Sequence, residues 1–217
     1  MIDAPHTPED LVSRPGLVAR LSRALDRGGL LLTATAGYGK TIALQQTLAA
    51  RSEPSAWISC STTGGGEAGL LLLALVERLR EVVPGSSDVV AGRLAATIQR
   101  VDAPSLARAL RTDLETLLVE PVVVVIDDAE QLEDSSEALE VVEVLLHADP
   151  RALRVAVASR RPLAVRASRL VTTGRATEIG PGELAFSAQE CTEVVHRRDG
   201  RTPTAAEVDA LMAGTEG

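Results

Sequence analysis

Lys40 and Thr41, preceded by Gly37 and Gly39, are residue types whose spacing suits a grip on phosphate groups. Glycines at these two positions let backbone N–H groups turn onto an anion with no Cβ in the way. The Lys40 ammonium can reach the β- and γ-phosphates of a nucleoside triphosphate, and the Thr41 hydroxyl can ligate Mg²⁺. The cradle is read as Ala36, Gly37, Tyr38, Gly39, Lys40, Thr41 and Ile42. One position departs from G-x-x-x-x-G-K-T: Ala34 stands where the first glycine is usual. The competing reading is a glycine-rich turn with a solvated lysine.

Asp127 and Asp128 supply the second half of such a site. They follow Val122-Val123-Val124-Val125-Ile126, opened by Pro121. Five β-branched residues in a row read as a strand buried on both faces. Two carboxylates at its end are costly unless they meet a cation. Asp127 is placed to hold Mg²⁺, through water, and Asp128 to orient or deprotonate an attacking water. An isolated Asp-Asp pair would read instead as a cap after a core strand. Arg160 ends another strand, at the edge where ligands approach open α/β sheets. There it either senses a γ-phosphate or is a solvated arginine paired with a surface acid.

The elements that must position these residues alternate. Strands are read at 29–35, 55–59, 122–128, 153–158 and 177–179. Helices are read at 17–26, 40–51, 69–82, 89–100, 105–118, 135–146, 187–196 and 204–213. Ser105 is read as an N-cap, and Ser187/Glu190 and Thr204/Glu207 as capping boxes. Strand–helix alternation predicts a three-layer α/β/α fold of the P-loop NTPase kind with a five-stranded, mainly parallel sheet. The nucleotide-binding domain is placed at 1–182, and the start of a small helical subdomain at 183–217.

Composition narrows the function. The 217 residues can bury one sizeable core, and 45% are hydrophobic, which argues against disorder. The net charge of −8 disfavours a DNA-binding surface. Tyr38, Trp57 and Phe186 are the only aromatics, too few for base-stacking platforms, and Trp57 is read as a core anchor. Cys60 and Cys191 form no CxxC pair and read as reduced core thiols; His6, His147 and His196 lack metal-ligand spacing. No apolar run approaches the ~18 residues that span a bilayer, and no signal peptide opens the chain. A cytoplasmic protein that engages no membrane is expected.

The motifs together resemble the nucleotide-binding domain of STAND-class signalling ATPases, the MalT-like, LuxR-family large ATP-binding transcriptional regulators. The resemblance rests on Arg14-Pro15, Ala36-Gly37-Tyr38-Gly39-Lys40-Thr41, Ala56-Trp57-Ile58-Ser59, the Asp127-Asp128 strand, Ser159-Arg160-Arg161-Pro162 and Glu183-Leu184-Ala185-Phe186-Ser187. It covers nearly the whole chain. It implies an ATP/ADP-dependent switch with slow Mg²⁺-dependent hydrolysis, in which Val12 and Arg14 lie against the adenine and Arg160 is the sensor. It also implies self-association only in a full-length, ATP-bound protein, and DNA contact only through a C-terminal domain beyond this stretch. The chain then reads as an excised piece. Three places depart from the family. Ala129-Glu130 stands where Tyr-His is usual, Ala185 replaces an arginine, and the 62–69 loop is glycine-rich. Two other classes remain open. One is a small-molecule kinase, with Arg160, Arg161, Arg166 and Arg169 as a basic lid. The other is an AAA+ motor with intersubunit arginine fingers. A GTPase is disfavoured because no Asn-Lys-x-Asp motif occurs.

Overall fold

The computed structural model describes residues 11–62, 67–85, 88, 91–92, 102–165 and 167–215. Five strands form one sheet: β1 (Gly29–Thr33), β2 (Ser55–Ser59), β3 (Val122–Asp127), β4 (Leu153–Ser159) and β5 (Ala176–Ile179). Their order is β2-β3-β4-β1-β5, and every pairing is parallel. This is the α/β architecture expected from the alternating pattern. The order is the part that periodicity could not supply.

The β-branched run explains β3's central place. Val122, Val124 and Ile126 enter one hydrophobic cluster, Val123 and Val125 the other. Successive side chains of a strand point to opposite faces, so a strand covered on both sides must be apolar throughout. On one face lie α3 (Ala68–Val82), α4 (Ala103–Leu117) and α5 (Ser136–Leu146). On the other lie α1 (Pro15–Arg27) and α2 (Lys40–Ala49), with Trp57 packed there at 9% exposure. Cys60 is buried too, and burial pushes its thiol up to about 12.

Some local readings shift. β1 ends at Thr33, so the phosphate loop begins two residues earlier than expected. The helix assigned to Ser105 starts at Ala103. Asp102 is its N-cap and accepts a hydrogen bond from the Ser105 N–H at 3.0 Å, while the Ser105 hydroxyl donates to Asp102. A carboxylate outcompetes the hydroxyl three residues on, and Pro104 sits at the helix start where no N–H is missed. Two short helices were not anticipated: α6 (Ala167–Thr172) and α7 (Pro181–Leu184). The capping boxes of α8 (Ala188–Asp199) and before α9 (Ala205–Thr215) form as read. The helix expected at 89–100 and the glycines at 64–66 lie for the most part outside the described residues.

Register places the chemistry. Thr33 pairs with Ser159, and Ser59 with Asp127. The C-terminal ends of β1, β2, β3 and β4 therefore share one edge. The phosphate loop, Asp127, Asp128 and Arg160 all leave the sheet there.

Candidate functional site

The loop between β1 and α2 holds Gly37 at φ 96° and Gly39 at φ 70°. Both lie in the region open to glycine. A Cβ at either position would meet no protein atom within 4 Å. Backbone conformation, not crowding by the protein, is what selects glycine. Gly39 is the N-cap of α2, and no side chain caps that helix. Its first N–H groups thus keep their capacity for an anion. Lys40 Nζ folds back over the loop and donates to the carbonyls of Ala34 at 2.6 Å and Thr35 at 3.0 Å. Burial pulls its ammonium below the ordinary value, and the charges of Glu130 and Asp127 pull the other way.

Three acids at and just after the end of β3 reach three different partners. The Asp127 carboxylate is 5% exposed and accepts from the Thr41 hydroxyl at 2.9 Å. Burial raises its pKa, partly offset by the hydrogen bonds from Thr41 and from the Asp128 N–H. Asp128 takes φ 54°, the one non-glycine with positive φ among the described residues. Such a conformation persists only where the surroundings hold it, and it recurs at working sites. Here the holders are the hydroxyls of Ser59 and Ser61, which donate to its carboxylate at 3.1 and 2.9 Å. Glu130, 8% exposed, turns to Arg160 and accepts from its backbone N–H at 3.0 Å. Lys40, Thr41, Asp127, Asp128, Glu130 and Arg160 line one cleft of about 290 Å³.

A second cavity of about 830 Å³ shares Ala36 and Gly37 with that cleft. Tyr38, Phe186, Val195 and Leu211 are among its walls, so α8 and α9 close it from the far side. Val12 and Arg14 line neither space. The Val12 carbonyl accepts from Gln46, and the Arg14 N–H donates to the same side chain. The Arg14 side chain is 6% exposed, and each of its three guanidinium nitrogens donates to protein. It donates to the Leu184 carbonyl at 2.8 Å, the Ala185 carbonyl at 2.7 Å and Glu190 at 2.9 Å, and lies 4.6 Å from the Phe186 ring centre. Glu190 is the capping-box acid of α8, so one carboxylate both starts that helix and holds Arg14.

Sequence reasoning found the loop, both aspartates and Arg160, and the fold brings these together. It did not find Ser61, nor any partner for Asp128 or Arg14. Glu130 was set aside because position 130 departs from the family pattern. The Ser187/Glu190 capping box was the available signal for Glu190.

The clamp sets a prediction. Arg14→Ala should cost roughly 2–3 kcal/mol, because hydrogen bonds to a charged group are lost at a buried position. Urea unfolding measures it, and proteolysis between residues 184 and 187 should speed up. The pH dependence has a definite sign. Burial raises the Glu190 pKa, but the hydrogen bonds from Arg14 and Ser187 and the Arg14 charge together outweigh it, and the net shift is downward from 4.5. The stabilisation is therefore complete above that ordinary value and is lost as pH falls through the lower folded value. The gap between wild type and Arg14→Ala should narrow in acid by the Glu190 part, while the part from the Leu184 and Ala185 carbonyls stays.

A phosphate-gripping loop beside a buried acid-tipped strand, at the C-terminal edge of a parallel five-stranded sheet, defines a P-loop nucleotide-binding module. A family model described as AAA domain matches residues 23–161, and the chain belongs to that family. Two solved structures share the fold. The Walker-type ATPase of Pyrococcus abyssi is 15% identical, with a TM-score of 0.53 over 95% of this chain and 64% of that one. The Aeropyrum pernix ORC1 protein in complex with DNA is 13% identical, with a TM-score of 0.56 over 99% of this chain and 58% of that one. The chain thus spans less than two thirds of either. No curated protein matches it. Among the described residues no helix is long and apolar enough to cross a membrane.

Proposed function

We propose that the chain is the ATP/ADP-binding switch module of a signal-responsive transcriptional regulator of the STAND class, with slow Mg²⁺-dependent hydrolysis. The observation that carries the nucleotide part is the meeting of Thr41 with Asp127 at 2.9 Å in the cleft beside Lys40. A buried carboxylate with a raised pKa, next to a hydroxyl, suits a hydrated divalent cation. Thr41 and Asp127 would hold it, and Mg²⁺ when bound neutralises charge on the phosphate oxygens. Lys40 exchanges its two carbonyl contacts for phosphate oxygens, and the uncapped end of α2 adds N–H donors. Asp128, fixed by Ser59 and Ser61, orients a water and takes its proton as the γ-phosphoryl group passes to that water and ADP leaves. Arg160 faces the charge that develops on the γ-phosphate.

The adenosine belongs in the larger cavity, since Ala36 and Gly37 join it to the phosphate cleft. Val12 and Arg14 act on that wall from behind, through Gln46 and Glu190. Residues 183–217 are the start of a helical subdomain whose position follows the nucleotide. DNA contact and ATP-driven self-association belong to parts of a longer cytoplasmic protein outside this stretch.

Fast phosphoryl transfer needs a further arginine or a closing domain, an addition worth about 10³–10⁵ in rate. The protein should therefore bind ATP and ADP with Mg²⁺, turn ATP over at well below about one per second, and not shift DNA in a gel. Calorimetry, a steady-state ATPase assay and a gel shift test these three statements. A second reading, an AAA+ motor acting on DNA, draws on the fold shared with a DNA-bound ORC1 protein. The net charge of −8 speaks against it. Turnover of several per second with nucleotide-dependent rings, or salt-sensitive DNA binding, would favour it over the switch.

A further inference from the structure

Glu130 carries one carboxylate oxygen, Oε1, that is buried and accepts no hydrogen bond. That oxygen nonetheless lies 2.9 Å from Arg160 Nε, an ion-pair distance without hydrogen-bond alignment. Its other oxygen accepts the Arg160 backbone N–H at 3.0 Å. The two residues are uneven in exposure. The Glu130 side chain is 7% exposed and the Arg160 side chain 58%. A buried carboxylate with an unsatisfied oxygen is costly unless a cation sits against it. Arg160 supplies that charge while its N–H fork stays available for a ligand, because the pair is not hydrogen-bonded through the guanidinium. Glu130 thus grips the main chain at the end of β4 and the guanidinium at the same time. Both residues line the 290 Å³ cleft with Lys40.

We propose that Glu130 is a positioning residue that aims Arg160 into the phosphate cleft and so sets how strongly the site prefers a nucleoside triphosphate to a diphosphate. The inference rests on the nucleotide reading above. With Glu130 in place, Arg160 meets a γ-phosphate without first losing side-chain freedom, and such ordering costs part of any contact made by a mobile side chain. Without it, Arg160 is a long solvated side chain on a loop. Glu130 also places a negative charge near Lys40, which both nucleotides feel. The ratio of ATP to ADP affinity is therefore the informative quantity, not either affinity alone.

The test is a double-mutant cycle read by calorimetry with ATP and ADP, each with Mg²⁺. Arg160→Ala should lower the ATP-to-ADP affinity ratio about tenfold, or about 1.4 kcal/mol. On a Glu130→Ala background the same Arg160→Ala change should alter the ratio by less than about threefold, because Arg160 is already adrift. Glu130→Gln keeps an oxygen for the Arg160 N–H and should retain part of the preference. If Glu130→Ala does not fold, the Glu130→Gln cycle carries the test, with partial coupling expected. Independent effects, with Arg160→Ala equally costly on every background, would overturn the positioning role while leaving the nucleotide site intact. A wild-type protein that binds neither nucleotide would overturn both.

Discussion

An Asp128→Asn protein should bind ATP with Mg²⁺ as the wild type does and hydrolyse it at least about a hundredfold more slowly. A positioned general base contributes ~10²–10⁴ in rate. The amide keeps the size of the carboxylate and can still accept from Ser59 and Ser61, so the left-handed turn at 128 is retained. It cannot take a proton from water. Asp127→Asn should behave differently, weakening Mg²⁺-dependent binding first, because that carboxylate faces Thr41 instead. Single-turnover hydrolysis alongside calorimetry separates the two. Equal losses of ATP affinity in both variants would contradict the division of labour.

A Lys40→Ala protein should lose at least about tenfold in affinity for ADP with Mg²⁺. A hydrogen bond to a charged group is worth roughly 1.5–3 kcal/mol, and each 1.4 kcal/mol is a factor of ten. Lys40 lies within two hydrogen bonds of loop carbonyls and is partly buried among Asp127, Glu130 and Arg160. Its removal leaves two acids facing the phosphates with less opposing charge, which adds to the loss. The melting temperature should move little, since the ammonium packs against the loop and not the core. Unchanged ADP binding would sink the assignment of the loop.

Much of this was legible in local sequence because the responsible interactions are local. Glycines at 37 and 39 announce positive φ, and the angles are 96° and 70°. Five β-branched residues announce a doubly covered strand, and β3 is buried at every position. Ser187 and Glu190 announce a helix start, and the two reciprocal hydrogen bonds are there. The reading failed at Ser105 because Asp102 lay three residues upstream and a stronger acceptor took the cap. Arg14 shows a different limit. Its guanidinium donates to groups about 170 residues away, which no pattern near Arg14 reveals.

The sequence alone determined the types of element, the phosphate loop and the acids at the end of β3, since each follows from backbone preferences and side-chain periodicity within a short window. Tertiary structure alone decided the sheet order β2-β3-β4-β1-β5 and the register that sets Ser59 beside Asp127. It also decided that three neighbouring acids serve three separate partners: Thr41, the serines at 59 and 61, and Arg160. Those partners lie between 30 and 86 residues away along the chain. Their meeting depends on the packing of two hydrophobic faces against one sheet, and that is a property of the whole core.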